Sequence, residues 1–381
     1  MTANSISRTL PVTNAKVVSK VSAPPIQLSY AMRNRSGILL ALSLALLITL
    51  VVAAGIGAVK IPVSSVFQLL ISPPSSENWQ LIQPDMMQQA MVFWNIRLPR
   101  LFLAVLTGAT LAVCGAAMQA LLRNPLAEPS LVGVSGGAAV FAAFAIVLGG
   151  SWMPYLQGIM GEFALPLVAF IGSLSVTVCI FSLSTRQGRT SVALILLAGI
   201  AIGSLCMALI GLLTFVASDV QIRVLNFWSL GSLGAATWPM VTMVICLAGL
   251  PLVFLLKQSA ALNTLALGEA QAQMLGVSVR RLNRWCIAAI ALSVGAVVSV
   301  TGIIGFVGLV APHLVRLLFG PDQRLVMPAC ALLGAILVVV SDLIARTIAA
   351  PTEIPVGIIT ALIGVPFFLL LLFRMRRKIG L

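Results

Sequence analysis

A polar stretch separates two long apolar runs of the chain, and it reads NTLALGEAQAQMLGVSVRR from Asn263 to Arg281. Asn263 or Thr264 is a typical residue to open a helix, and Gly276 is a typical residue to close one, so we expect a short helix between them. Ser278 is then expected to cap a second helix. A folded polar element between two apolar runs is typical of a membrane-protein loop that lies outside the lipid.

The composition agrees with an all-α integral membrane protein. The chain has 381 residues, of which 60% are hydrophobic and 8% are charged, whereas soluble domains carry about 25% charged residues. A spanning helix needs roughly 20 apolar residues, so the length allows about ten spans with short loops. The formal net charge of +14 does not indicate a nucleic-acid partner, because the basic residues cluster at the ends of the apolar runs.

The apolar runs predict ten membrane spans and one shorter amphipathic piece at residues 225–233. Residues 1–36 are polar and lack a periodic apolar pattern, so we expect them to be disordered, and residues 37–381 are expected to form one transmembrane domain. The predicted spans are residues 38–59, 98–121, 131–149, 164–184, 191–216, 238–256, 284–304, 306–319, 327–347 and 354–373.

The distribution of basic residues predicts the orientation of these spans. If both termini are cytoplasmic and the spans alternate, only Lys60, Arg97, Arg100, Arg223 and Arg346 fall on the outer side. Lysine and arginine are enriched in cytoplasmic loops, so this orientation is favoured over its opposite. It also places the polar stretch from Asn263 to Arg281 in the cytoplasm.

A weak internal repeat suggests two inverted halves. At one fixed offset, Arg97 aligns with Arg284, Pro125 aligns with Pro312, and several glycines stay in step. The first copy would start outside and the second inside, which is a plan common among transporters. Chance alignment among abundant glycines is the alternative.

No set of residues typical of an enzyme is found. The chain has no G-x-x-x-x-G-K-[ST] sequence, so it does not hold nucleotide phosphates itself, and any energy from ATP must arrive through a partner. The six cysteines form no CxxC pair, and His313 has no carboxylate or cysteine near it in the sequence, so no metal site is expected. Asp342 is the main ionisable residue inside a span, and Arg346 lies one turn away as a partner. This scarcity of carboxylates argues against an ion-coupled carrier.

Three arginines are expected to lie close together on the outer face, namely Arg97, Arg100 and Arg346. One interpretation is that they extend along the helices to reach the membrane interface. The other is that they dock acidic residues of a soluble partner, because arginine–carboxylate pairs are directional.

Several motifs resemble those of the permease subunits of bacterial type II ABC importers, which carry iron–siderophore complexes, haem or cobalamin. The resemblance covers about residues 38–375, whereas the amino-terminal tail departs from the family. The motifs are Arg97–Arg100 (RLPR), Gly108-Ala109, Gly115, Gln119, Arg123–Pro129 (RNPLAEP), Leu275–Val277, Gly305–His313 (GFVGLVAPH), Asp342 with Arg346, Glu353–Gly357 (EIPVG) and Gly364–Phe368 (GVPFF).

This resemblance implies a homodimer of ten-span subunits in the bacterial inner membrane, with two cytoplasmic ATP-binding subunits and a periplasmic substrate-binding protein as partners. It implies that the chain is not itself an enzyme and binds no cofactor, since ATP and Mg are used by the ATPase.

By position, residues 263–282 resemble the coupling helices, and Arg97, Arg100 and Arg346 resemble the arginines that meet the binding protein. The piece 225–233 resembles a half-helix at the outer mouth. The implied ATPase contacts are Leu267, Gly268, Glu269, Ala270, Gln271, Met274, Leu275 and Gly276.

The cargo is predicted from the segment Ser218–Gly234, which is most similar to the haem-importing branch of the family. Haem is a flat apolar disc with two propionates, and Arg223 from each of two subunits would offer two cations to them. Pairing of Arg223 with Asp219, four residues earlier, is the alternative. A ferric siderophore or cobalamin remains open as cargo, and an ion-coupled secondary transporter is the alternative of another class.

Overall fold

The computed structural model describes residues 35–57, 59, 61–71, 84–150, 152–186, 189–190, 192–350 and 352–379, and these form a bundle of helices. A π-helical turn, Phe93–Arg97, joins α3 to α4. Two-residue strands β1 (Thr185–Arg186) and β2 (Arg189–Thr190) pair antiparallel. The helices are α1 Arg35–Gly55, α2 Val63–Ile71, α3 Pro84–Val92, α4 Leu98–Leu121, α5 Val134–Leu148, α6 Trp152–Met160, α7 Ala164–Ser184, α8 Val192–Val216, α9 Asp219–Ser229, α10 Trp238–Lys257, α11 Ser259–Ala266, α12 Glu269–Met274, α13 Val279–Thr301, α14 Val307–Phe319, α15 Gln323–Ile348 and α16 Val356–Ile379.

The helices confirm the prediction of an all-α membrane protein. Within the described ranges, seven segments are long and apolar enough to cross a membrane, and they contain α1, α4, α7, α8, α10, α13 and α15. Three shorter apolar helices correspond to α5, α14 and the first part of α16. Together they account for the ten predicted spans, so the chain is a multi-pass membrane protein.

The order of helix lengths repeats between the two halves. The helices α4, α5, α7 and α8 have 24, 15, 21 and 25 residues, and α13, α14, α15 and α16 have 23, 13, 26 and 24 residues. The two halves therefore show the same order of long and short helices. The fixed-offset alignment of Pro125 with Pro312 is wrong, because Pro125 precedes α5 whereas Pro312 lies inside α14.

Helix α4 lies at the centre of the bundle and is buried along most of its length. Gly108 of α4 contacts Gly334 of α15, and Gly115 contacts Gly308 of α14, so closely that a Cβ at either α4 glycine would overlap the facing carbonyl. Without a hydrophobic driving force between helices in lipid, such close backbone packing is a main source of their association.

The polar stretch folds as two short helices, so its predicted start is wrong. Asn263 lies inside α11, and α12 begins only at Glu269, after Gly268 with φ 117°. Gly276 closes this element with φ 84°, as predicted, and Ser278 precedes α13 without making a capping hydrogen bond.

The amphipathic piece is also longer and earlier than predicted, because it forms α9 from Asp219 to Ser229 instead of residues 225–233. Ser218 and Gln221 form a capping box that starts the helix upstream of its apolar part. The predicted disorder of the amino-terminal tail concerns residues 1–34, which lie outside the described residues, and Arg35 and Ser36 already belong to α1.

Two ends of the bundle are used below. The Arg100 end contains the start of α4, the end of α15 and the helix α9. The Glu269 end contains α11, α12 and the starts of α1, α13 and α15. Contacts of Asn263, Asp322 and Arg35 join α11 to the starts of α1 and α15, and α12 packs against α11 and α13.

Candidate functional site

A network of charged side chains lies at the Arg100 end, and Arg100 is at its centre. Its Nε donates hydrogen bonds to the two carboxylate oxygens of Asp342 at 2.9 and 3.1 Å, and its Nη2 lies 2.8 Å from Oδ1 of Asp342. On its other edge, Nη1 donates to the two oxygens of Glu353 at 2.8 and 3.0 Å. Arg100 therefore links α4 to α15 and to the segment that precedes α16.

The two other predicted arginines join the same network. Arg346 lies one turn after Asp342, with 3.6 Å between its Nε and Oδ2, which confirms the predicted pair, although Arg100 is the closer partner. Arg346 also donates a hydrogen bond to the carbonyl of Ala53, and Arg97 donates to the carbonyl of Ala54. Cations are favourable at the carboxyl end of a helix, so the two arginines stabilise the end of α1.

The structure thus brings the three arginines together as predicted, but it buries them. Arg97 is 4% exposed and Arg100 is 7% exposed, and the side chain of Arg346 is 9% exposed. Glu353 is 42% exposed, so it is the accessible member of the network. The docking role of the arginines remains a prediction, and it has to account for their inward pairing.

At the Glu269 end, the predicted coupling residues form an exposed surface. Leu267, Met274 and Leu275 are 64%, 87% and 62% exposed. Glu269, Ala270, Gln271 and Gly276 are also exposed, and Gly268 is half-buried. Ala272 is fully buried, so α12 turns one face to the bundle and the other outward. Exposed apolar side chains outside the lipid are typical of a surface that binds another protein.

The predicted coupling segment is anchored to α15 through Asn263. Its Nδ2 donates to Oδ1 of Asp322 at 2.6 Å, and its Oδ1 accepts from the backbone N–H of Gln323 at 2.8 Å. Asp322 is the N-cap of α15, where it accepts from the N–H of Arg324 at 3.0 Å and pairs with Arg35. Burial alone would raise the pKa of Asp322, but the hydrogen bonds from Asn263 and Arg324 and the charges of Arg35 and Arg324 hold it below its ordinary value.

Two further acidic residues link loops at this part of the bundle. Glu269 pairs with Arg123 in the turn after α4, at 3.5 Å between Oε1 and Nη2. Glu128, in the same turn, accepts a hydrogen bond at 3.3 Å from the N–H of Phe306, which has φ 67° and begins α14. Burial raises the pKa of Glu128, and the hydrogen bond from Phe306 opposes this effect. The turn from Arg123 to Pro129 therefore connects α14 with α12.

Helix α9 presents Arg223 to the outside of the chain. Arg223 and Asp219 are both exposed, and within the described residues no ion pair joins them, so the alternative pairing is not observed. Gln221 anchors α9 by donating to the carbonyls of Ile146 and Val147 at 3.1 Å each. The exposed face that contains Arg223 also carries Val220, Val224 and Phe227.

The surroundings of His313 and of the cysteines indicate roles in packing. The ring of His313 makes an edge contact with Phe367 at 5.9 Å between centroids, and the six cysteines are free thiols. Across the residues that the structure describes, no group of histidine, cysteine or acidic side chains could hold a metal ion.

Four residues of these networks were missed from the sequence: Asn263 as an anchor, and Asp322, Glu353 and Glu128 as partners. Glu353 and Glu128 belong to recognised motifs, but their partners Arg100 and Phe306 are far away in the chain. The spacing of residues gives no signal for such contacts, whereas the proline and glycine after each acid do indicate a fixed turn.

The comparisons with known proteins agree on one class of protein. The sequence model of the FecCD transport family matches residues 45–374. The chain is 45% identical over 288 residues to the hemin transport system permease HmuU of Yersinia pestis, covering 75% of this chain and 84% of the relative. It is 39% identical over 312 residues to the vitamin B12 import system permease BtuC of Escherichia coli, covering 81% and 92%. A solved structure of a metal-chelate type ABC transporter in an inward-facing conformation matches with a TM-score of 0.75 and 31% identity, covering 89% of this chain and 99% of that chain.

Proposed function

The chain belongs to the FecCD transport family of ABC-transporter permeases, and from that premise we propose that it is the permease subunit of an ATP-driven importer that moves haem into the bacterial cytoplasm. In this proposal it works as a homodimer in the inner membrane, with both termini in the cytoplasm. A periplasmic binding protein delivers the haem to the Arg100 end.

Energy enters at the Glu269 end, where two ATP-binding subunits use ATP and Mg. The exposed side chains of Leu267, Met274 and Leu275 support this role, because they offer apolar anchors at a surface outside the lipid. Gly268, Glu269, Ala270, Gln271 and Gly276 complete the contact surface. The chain has no phosphate-binding loop of its own, which agrees with a separate ATPase.

The exposed face of α9 is the observation that carries haem as the cargo. Val220, Val224 and Phe227 are 69%, 47% and 49% exposed, and their spacing places them on one side of the helix. Arg223 lies beside them and has no carboxylate partner among the described residues. An apolar face edged by a cation fits a flat apolar ring with a propionate, and a twofold dimer supplies two such faces for two propionates.

Transport by the reconstituted complex tests this proposal. Vesicles that contain the permease and its ATPase should take up haem only with ATP inside and the binding protein outside. Arg223→Ala should lower uptake about tenfold, the size expected for one hydrogen-bonded charge, and Asp219→Ala on the same helix is the matched control. Uptake that continues without ATP, or is equal in both variants, contradicts the proposal.

The same machine with another cargo is the second candidate, and the similarity to BtuC favours cobalamin within it. A ferric siderophore is also compatible with Arg223, because many siderophores are anionic. Competition for uptake among haem, a ferric siderophore and cobalamin separates the three.

An ion-coupled carrier has less support, because Asp342 is already held between Arg100 and Arg346. Uptake that stops with an uncoupler while ATP persists would favour that carrier.

A further inference from the structure

Arg100 binds two carboxylates that differ sharply in exposure. Asp342 is 1% exposed and lies along the Nε edge of the guanidinium. Glu353 is 42% exposed and binds only to Nη1. Separating a buried carboxylate from its arginine leaves an unpaired charge in the interior. Asp342 is therefore expected to stay paired with Arg100. Glu353 meets water, and Arg100 keeps Asp342 when Glu353 leaves, so Glu353 is the partner that can leave at the smaller cost.

The position of Glu353 gives such a departure a structural consequence. Glu353 lies three residues before α16, and the adjacent N–H of Ile354 donates to the carbonyl of Ala345 at 3.1 Å. Its Oε2 lies against Gly234, where an added Cβ would be 3.0 Å away. Gly234 belongs to the loop that follows α9. Glu353 therefore binds Arg100 and lies between the start of α16 and the loop next to the proposed haem-binding face.

The charges of the network favour an incoming carboxylate. Within the part of the chain that the structure describes, the acids that pair with the three arginines of the network are Asp342 and Glu353, and Arg97 binds backbone carbonyls instead of an acid. The network is thus positive with Glu353 in place and more positive without it. An exchange of one carboxylate for another at Nη1 keeps the guanidinium paired throughout, so it avoids the cost of an unpaired buried charge.

We propose that Glu353 is an internal substitute for a docking carboxylate: an acidic side chain of the binding protein displaces Glu353 from Arg100 and thereby loosens the start of α16 and the loop after α9. This inference rests on the proposed function, because it takes the Arg100 end as the docking face. It explains how buried arginines can receive a partner, and it couples docking to the segments beside the cargo.

Binding to Glu353→Gln and Glu162→Gln permeases tests the exchange. Glu162 is exposed at the same end and accepts a hydrogen bond from Thr237 at 2.8 Å, but within the described residues it has no arginine partner. Both variants remove one negative charge from the docking face, so they change the general attraction to the partner equally. The permease–ATPase complex is held in lipid nanodiscs, and its periplasmic substrate-binding protein is titrated.

The expected result is that Glu353→Gln binds about two- to fivefold more tightly than Glu162→Gln, which is the order expected when a weak, half-exposed ion pair no longer competes. Equal affinity of the two variants refutes the exchange. Weaker binding by Glu353→Gln also refutes it, because Glu353 would then be a direct contact. A wild-type complex that does not bind the protein at all refutes the proposed function, and the inference fails with it.

Hydrogen–deuterium exchange of residues 352–360 tests the same step in the wild-type complex without a variant. The binding protein should accelerate exchange there, although docking usually protects amides. Protection of these residues, or unchanged exchange, contradicts the release of Glu353.

Discussion

Asp322 and Asp342 stand at opposite ends of helix α15, and they are held in very different ways. Asp342 is 1% exposed and lies between Arg100 and Arg346. The side chain of Asp322 is 31% exposed and binds Arg35, the amide of Asn263 and the backbone N–H of Arg324 in the first turn of α15. Charged side chains surround Asp342, whereas Asp322 is partly exposed to solvent and is held mainly by hydrogen bonds.

This difference indicates that the two ends of α15 are attached to their neighbouring helices in two different ways, one rigid and one yielding. A buried carboxylate between two cations fixes the relative position of α4 and α15, since each separation exposes an unpaired charge to a medium of low dielectric constant. A half-exposed carboxylate at a helix start can exchange its bonds with water at a small cost. We therefore expect the Arg100 end to be rigid around Asp342, and the anchor of α11 at Asp322 to yield when the proposed ATPase partner moves the predicted coupling segment.

The largest effect is expected from Asp342→Ala. Removing one partner of a buried ion pair costs about 3–5 kcal/mol of unfolding free energy, and here both Arg100 and Arg346 lose their buried carboxylate. Denaturant unfolding of the purified permease in mixed micelles measures the change. Asp342→Asn keeps the shape and isolates the charge. If Asp342→Ala costs no more than the corresponding change at Asp322, the contrast between the two ends is wrong.

An intermediate and pH-dependent effect is expected from Asp322→Asn. The pKa of Asp322 lies below its ordinary value in the folded chain, so its ionised form stabilises the fold above the pKa of the unfolded chain, about 3.9. This contribution is lost as the pH falls through the lower folded pKa. Asparagine can still cap α15, so at pH 7 the variant should be less stable by about 0.5–1 kcal/mol, the size expected for the loss of a partly exposed ion pair with Arg35.

The difference between wild type and Asp322→Asn should therefore shrink below about pH 4. Unfolding curves of both proteins from pH 7 to pH 3 measure it, and the other carboxylates cancel because both proteins contain them. A difference that stays constant over this range would mean that the charge of Asp322 does not contribute.

The ten spans are predictable from the sequence, whereas the contacts between their side chains are not. Long apolar runs and the basic residues at their ends depend only on local composition, and α7 was placed at 164–184, where the helix Ala164–Ser184 is found. The partner of Arg100 depends on how α4 and α15 meet, which Gly108 and Gly334 decide by close backbone contact. Local spacing shows only partners on the same helix, so it predicts Arg346 and not Arg100 as the partner of Asp342. The start of α9 was missed because a capping box, and not apolar periodicity, sets it.

The smallest effect is expected from Glu269→Gln, which removes the partner of Arg123. The two side chains are 52% and 46% exposed and lie 3.5 Å apart, and such pairs contribute about 0–1 kcal/mol because water and salt screen them. The unfolding free energy should stay close to that of wild type, and a double-mutant cycle with Arg123→Gln should give a coupling energy that vanishes in high salt. A coupling energy as large as that of Asp322 with Asn263 would show that the turn after α4 holds the coupling segment as firmly as α15 does. The α15 anchor would then not be the principal joint at this end.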